Sequence, residues 1–452
     1  MHDSGEVNDQ GVCHPGTRTF VLETILRRIT SRSPDFHLTW MKGAAGAGKS
    51  AISRTVAHRV AQECLFFASF FCWRSSEGRS DASLVIPTLV HQIITHLPSL
   101  RPFVEQVLQS DPYIFSKSME IQAHRLIINP LTIIKAELDD TLPCVIIIDG
   151  LDELKDKKGQ CKILDTVAFL IDNLPFPIHF FIASRPEHQI EDYFTHSMGK
   201  IWTLLSLDET YRPDEDIVIY YKDKFRIIVK AFPSYNLGEH WPGQETRDLL
   251  VAKGSGQFIF AAIVIGFVGN KSISISPQKR LDMILANVSG GKLKPLDLLD
   301  CVYATVFKAV PEDELQDVLQ LVGLVLLPVK FKKSPKVLDA VLWLEPGTTK
   351  NRLRFLHSVL KVPSSSDGVI EPLHATLGDF VFNHNRSLPF GLYLDEISFH
   401  QEVILKILKG SMALPVSHQL AGKLPSRRST RLSPVDCRIR KLGPRPYQRC
   451  FE

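Results

Sequence analysis

The chain has 452 residues, 44% hydrophobic and 23% charged, a composition that excludes a wholly disordered protein and a length that allows about three structural units at roughly 150 residues each. Its net charge of +4 is uneven: Val416 to Glu452 carries nine Lys or Arg against two acids, which leaves the first 415 residues at −3 and excludes a general attraction of that part to nucleic acid. Eight cysteines without a Cys-x-x-Cys pair make neither a disulfide framework nor a zinc signature, and they read as reduced, packed thiols.

The opening MHDSGEVNDQ holds acids and no basic apolar run. It reads as neither a secretory signal nor a transit peptide, so the chain is expected to be cytoplasmic. From His37 to about Phe194, apolar runs of β character alternate with helical patterns, the arrangement of a parallel α/β sheet with helices on both faces. HLTWMKG (37–43), LFFASFFCW (65–73), CVIIIDG (144–150) and IHFFIAS (178–184) are the candidate strands. Lys49 to Ala61, after a glycine turn, and Leu84 to His96, after Asp81 and before Pro98, are candidate helices.

From about Leu207 the strands give way to helical patterns punctuated at Pro213, Pro233, Pro242 and Pro277. After Gly290 and Gly291 another helical stretch starts at Pro295. It runs into RLRFLHSVLKVP and VIEPLHATLGDFVF, with a hairpin expected across SSSDG and a winged-helix-like unit around it. The expected division is a leading segment 1–36, an α/β unit 37–200, a helical unit 201–290, a winged-helix-like unit 291–400 and a basic, disordered tail 401–452. Such a tail could also contact nucleic acid or an acidic membrane surface. The most apolar windows, FIFAAIVIGFV (258–268) and LQLVGLVLLPV (319–329), are shorter than the ~18 residues of a membrane span and read as buried helices or strands. No repeat of 20 to 50 residues is evident.

Three motifs carry chemistry. Gly43 to Ser50, GAAGAGKS, satisfies G-x-x-x-x-G-K-[ST] between a strand pattern and a helix pattern. Gly43, Gly46 and Gly48 permit a tight loop whose backbone N–H groups, continued by the helix start at Ser50 and Ala51, face a polyphosphate. Lys49 is placed to reach the β and γ phosphates, and the Ser50 hydroxyl to bind Mg²⁺. A Gly/Ala turn without a ligand is the bland alternative, and the motif alone does not separate a kinase from an ATPase. In CVIIIDGLDEL, Asp149 ends a buried strand and can hold the same Mg²⁺. Asp152 and Glu153, just beyond, either orient an attacking water or cap a helix start. In FFIASRPE, Arg185 follows a buried strand and either senses the γ-phosphate or pairs with Asp152 or Glu153.

Together GAAGAGKS, IIIDGLDEL and ASRPE resemble the NACHT family of STAND-class P-loop NTPases, in particular fungal NACHT proteins with a nephrocystin-like nucleotide-binding region. CHPGTRTFVLETI, ASFFCWRSSEGRSD and SDPYIFSKSMEIQ are similar to the flanking text of that group, and EHWPGQETRDLLVAKGSGQFIFAA to its helical domain, so the resemblance spans about residues 13–400. It implies ATP/ADP or GTP/GDP with Mg²⁺, slow hydrolysis, and a signalling switch of the innate-immunity or heterokaryon-incompatibility type. ADP would hold the units closed, and ATP would open them for self-association or for joining full-length NACHT relatives. The resemblance also implies that a winged-helix histidine approaches bound ADP, with His374 the best match and His357 the second, and that Pro242 lines the adenine pocket. Two features depart from the family. Ala183 stands where Thr is usual, and neither an effector domain before Cys13 nor a repeat array after about residue 410 is recognisable. Two alternatives stay open: a nucleotide-binding fragment that regulates full-length relatives, and a small-molecule kinase, for which no acceptor lid is found.

Overall fold

The computed structural model describes residues 11–31, 37–61, 66–74, 76–138, 144–199, 202–207, 211, 213–288, 295–327 and 331–413. Helix α1 (Thr19–Thr30) places Val21, Leu22, Ile25 and Ile29 on one buried stripe. Strand β1 (Leu38–Lys42) leads into α2 (Lys49–Val60), and β2 (Phe66–Phe71) is followed by α3 (Val85–His96), α4 (Arg101–Ser110) and shorter turns. Then come β3 (Cys144–Asp149), α5 (Lys157–Asn173), β4 (His179–Ser184) and β5 (Trp202–Ser206).

The five strands form one parallel sheet in the order β2-β3-β4-β1-β5. Every residue of β3 and β4 is buried, as required of central strands covered on both faces, where unbroken β-branched and aromatic runs replace alternation. One face packs Trp40, Ile146, Ile148, Phe180 and Ile182 against side chains of α3, α4 and α5. The other packs Met41, Val145, Ile147 and Phe181 against α1 and α2. The expected α/β fold is therefore present, with two corrections to its limits. Helix α1 belongs to this unit although it precedes residue 37, because its stripe completes one face of the sheet. Strand β5, read as part of the helical region, carries the sheet past residue 200, because its backbone pairs with β1. Its half-buried, edge position hides the signature of a buried strand.

The remainder is helical: α6 (Pro213–Ala231), α7 (Gln244–Gly254), α8 (Phe258–Val268), α9 (Pro277–Val288), α10 (Pro295–Lys308), α11 (Leu315–Leu326), α12 (Pro335–Val341), α13 (Thr376–Val381) and α14 (Glu396–Ala413), with shorter turns among them. Pro213 and Pro277 open helices rather than separate them, since the missing N–H costs nothing in a first turn. The two apolar windows form the buried helix α8 and much of α11. Strands β6 (Leu360–Lys361) and β7 (Glu371–Pro372) pair antiparallel around SSSDG, as the hairpin signal predicts. Buried side chains from Ile217 to Val403 join in one apolar core that runs across the boundary expected at 290, while the Gly290–Gly291 pair lies outside the described residues. The tail expected to be disordered from 401 is helical through Ala413, and 414–452 lie outside the described residues. Among the described residues, no helix is long and apolar enough to cross a membrane.

Candidate functional site

Because β4 lies between β1 and β3, three chain segments leave the sheet side by side. Lys42 pairs with Ser184 and Asp149 with Ala183, so Gly43 and Arg185 emerge level with each other, and Gly150 one residue short of them, at the C-terminal edge. Edges of this kind, where parallel strands end and helices begin, are where open α/β sheets bind ligands.

Within the Gly43–Ser50 loop, Gly46 (φ +78) and Gly48 (φ +92) take the left-handed conformation that side-chain-bearing residues avoid. Gly48 is the N-cap of α2 and supplies no side-chain cap, so the first-turn amides, those of Lys49, Ser50 and Ala51 included, have no intrahelical acceptor. Gly46 has a second constraint. A Cβ there would fall 2.1 Å from Cγ2 of Ile259, at the start of α8, and the Ile259 N–H donates to the Gly46 carbonyl at 3.2 Å. The Lys49 ammonium donates to the carbonyls of Gly43 at 2.7 Å and Ala44 at 2.9 Å. Burial lowers its pKa below the ordinary lysine value; Asp152 opposes that shift and Arg185 adds to it. Positive-φ glycines, uncapped amides at a helix's positive end and a lysine whose hydrogen-bond partners are neutral carbonyls fit a polyphosphate.

Asp149 is 2% exposed, and its Oδ1 accepts from the Ser53 hydroxyl at 2.8 Å. Its hydrogen-bond partner is thus one turn deeper in α2 than the expected Ser50. Residues three apart are neighbours on a helix, so the carboxylate still lies on the face that Ser50 shares. Gly150 turns the chain with φ +72, and Asp152 and Glu153 follow in a single 3₁₀ turn. Asp152 is buried and faces Arg185: its Oδ1 accepts from the Arg185 backbone N–H at 2.9 Å and its Oδ2 lies 3.3 Å from Nε. Of the two roles left open for Arg185, the ion pair with Asp152 is therefore present. Glu153 accepts from the backbone N–H of Arg74 at 3.2 Å. Burial, then the neighbouring Asp152, pushes its carboxyl up to about 7.

The helical unit closes over this edge. Arg185 Nη1 donates to Asp379 Oδ2 of α13 at 2.8 Å, and Arg74 Nη1 lies 3.6 Å from Asp379 Oδ1. Burial opposes the Arg185 charge, but Asp379 and then Asp152 raise its pKa above the ordinary arginine value. Between sheet edge and helices lies a cavity of about 700 Å³ whose lining includes Ala45, Arg74, Glu153, Arg185 and Asp379. His374, just before α13, is pushed down to about 4 by burial and by the positive charge of Arg54 on α2. His357 is exposed. Pro242 follows Trp241, which packs edge-on against Phe225 of α6 at 5.4 Å, so the described contacts place this turn in the helical unit.

Sequence reasoning missed Arg18, Ser53, Arg74 and Asp379. Arg18 is 5% exposed and joins three elements: Nη2 donates to the P-loop carbonyl of Ala47 at 2.8 Å, Nε lies 3.8 Å from Asp216 of α6, and the guanidinium sits 4.8 Å from the Phe258 ring of α8. The available signals were faint. Ser53 follows Ser50 by three residues on a helix that carries a phosphate-loop motif, and Asp379 is the one acid of the VIEPLHATLGDFVF segment after its opening Glu371.

Residues 16–185 match the family described as nephrocystin 3, N-terminal, a span that contains the P-loop and Asp149 and ends on Arg185. No curated protein matches the chain. Among solved structures, the chain is similar to a signal transduction ATPase with numerous domains (STAND) that bears a tetratricopeptide repeat sensor, from Pyrococcus horikoshii. The two are 13% identical with a TM-score of 0.49, over 90% of this chain and 47% of that one. It is also similar to Cdc6p from Pyrobaculum aerophilum, at 12% identity and a TM-score of 0.36, over 87% of this chain and 96% of that one. The chain spans about half the length of the first of these.

Proposed function

We propose that this chain is a P-loop nucleotide switch that binds Mg-ATP or Mg-GTP at Gly43–Ser50, hydrolyses it slowly, and alters the seating of its helical unit according to the terminal phosphate. The observation that carries the reading is the sheet edge at which the P-loop, Asp149 and Arg185 stand together, with α13 resting on Arg185. The nephrocystin 3 match across residues 16–185 supports it. A signalling role of the innate-immunity or heterokaryon-incompatibility type, acting through self-association or full-length relatives, extends the same reading.

Each residue has a role in this proposal. The amides from Gly46 to Ala51 and the Lys49 ammonium bind the phosphates, while Gly43 frees the loop to turn. Ser50 and Asp149 hold Mg²⁺, whose chemistry is to neutralise charge between the phosphates. Glu153, with a carboxyl that titrates at about 7, takes a proton from water, since a base works best near the operating pH. Asp152 orients Arg185 through two contacts, and Arg185 steadies charge on the terminal phosphate. His374 approaches the nucleotide from the helical side, and Pro242 lines the adenine pocket. The test is calorimetry of the full chain with Mg-ATP, Mg-ADP and Mg-GTP beside Lys49→Ala. Binding by the parent and at least about tenfold loss in the variant is expected, the scale of one charge-assisted contact. Unchanged affinity in the variant removes the P-loop assignment.

A further inference from the structure

The sharpest feature outside the roles just assigned is the convergence of two arginines on one carboxylate from another unit. Helix α13 buries Leu377, Phe380 and Val381 in the helical core, and the buried Thr376 and Tyr303 hydroxyls, 2.8 Å apart, fix its start. A helix that turns those residues inward leaves position 379 facing away from the core. Here that face meets the C-terminal edge of the sheet. One oxygen of Asp379 takes Arg185 at 2.8 Å and the other faces Arg74 at 3.6 Å. Two guanidiniums sharing a single acid make a seat for an oxyanion, because their planar donor forks match carboxylate and phosphate oxygens alike. This seat borders the cavity beside the P-loop residue Ala45.

We infer that Asp379 is an internal stand-in for the terminal phosphate: it occupies the Arg185–Arg74 seat when that phosphate is absent and is displaced when a nucleoside triphosphate binds. The inference rests on the nucleotide reading above and adds the contact through which the phosphate is sensed. A carboxylate and a phosphate both bearing negative charge do not share the seat. Triphosphate binding therefore works against the Asp379 contact, whereas a diphosphate leaves it in place. By the same linkage, a ligand moves the helical unit only by its unequal affinity for the seated and released forms.

The experiment compares the full chain with Asp379→Asn, an isosteric change at a partly exposed residue, and with Arg74→Ala, which removes one of the two arginines. Calorimetry reads the affinity for Mg-ADP and for a non-hydrolysable Mg-ATP analogue, and thermal melting confirms that both variants are folded. Asp379→Asn should tighten the triphosphate analogue relative to ADP by about ten- to a hundredfold, the scale of one charge-assisted hydrogen bond to a partly buried partner. Arg74→Ala should weaken the analogue more than ADP. A parent-like ratio of the two affinities in a folded Asp379→Asn that still binds nucleotide overturns the stand-in and leaves the nucleotide reading intact. Absence of binding by the parent overturns the nucleotide reading, and the stand-in with it.

Discussion

Alanine at Gly46 and at Gly48 separates two demands that the same loop motif conceals. Both glycines have positive φ, +78 and +92, where an added Cβ costs about 1–2 kcal/mol. At Gly48 that strain is the whole expected effect on stability, since nothing lies within 4 Å of the built Cβ. At Gly46 the Cβ would meet Ile259 Cγ2 at 2.1 Å and Ile259 Cβ at 2.9 Å. Ile259 is 1% exposed and belongs to the helical core, so it has no free space to swing into. Overpacking of this kind adds about 1–3 kcal/mol. At roughly 2–4 °C per kcal/mol for units of this size, Gly46→Ala should melt roughly 2–12 °C below Gly48→Ala in differential scanning calorimetry of the nucleotide-free chain. It should also expose α8 to limited proteolysis first. Equal melting temperatures would refute the idea that α8 rests on the P-loop, and with it the route by which the loop reaches the helical unit.

Asp149→Asn keeps an acceptor for the Ser53 hydroxyl but loses the charge, so nucleotide affinity should become insensitive to chelation of Mg²⁺; undiminished sensitivity would remove Asp149 from the metal site. Glu153→Gln should retain nucleotide and slow single-turnover hydrolysis by about 10²-fold or more. Asp152→Asn should slow it through a loosened Arg185, and parental rates in both would leave these acids with only their structural contacts to Arg185 and to the Arg74 N–H. The pH dependence has two opposed parts. The Glu153 carboxyl, raised from 4.5 to about 7, contributes stability that is full below its unfolded pKa and is lost as pH rises through 7. His374, lowered from 6.5 to about 4, contributes stability that is present above 6.5 and is lost as pH falls towards 4. Denaturant titrations of Glu153→Gln should therefore show stability rising with pH from 4 to 6.5, by at most ~1.4 kcal/mol per unit, and those of His374→Ala should show it falling from 4.5 to 7. Slopes identical to the parent's would mean that neither group is coupled to folding. His374→Ala should also weaken ADP more than ATP and raise the oligomer mass in light scattering, and an equal loss of both affinities would make the histidine a packing residue.

Four of the five strands of the sheet were legible because burial on both faces demands unbroken β-branched and aromatic runs, as in CVIIID and HFFIAS. The fifth, WTLLS, is a half-buried edge whose partner β1 lies about 160 residues away in sequence, and no local period encodes such a pairing. The phosphate-loop residues were legible for a related reason: glycine is the residue that accepts φ +78 and +92 without strain, so backbone geometry leaves its mark directly in the sequence. Ile259 over Gly46 left no such mark, because the contact belongs to a helix some 200 residues later.

By itself the sequence determined the local rules: where strands are buried, where a loop turns left-handed ahead of a helix, and which acids and which arginine end at the same sheet edge. Only the tertiary structure decided what those groups touch. Asp149 holds Ser53 because one turn of α2 separates it from Ser50. Arg185 is shared between Asp152 and Asp379 because the helical unit folds back over the edge. Arg18, from the segment before the sheet, ties the P-loop to α6 and α8. Short-range preferences act over three or four residues and can be read in a row of letters. Ion pairs and steric contacts between segments about 30 to 200 residues apart depend on where whole elements pack, and that placement is set, among the described residues, by three apolar cores rather than by any one motif.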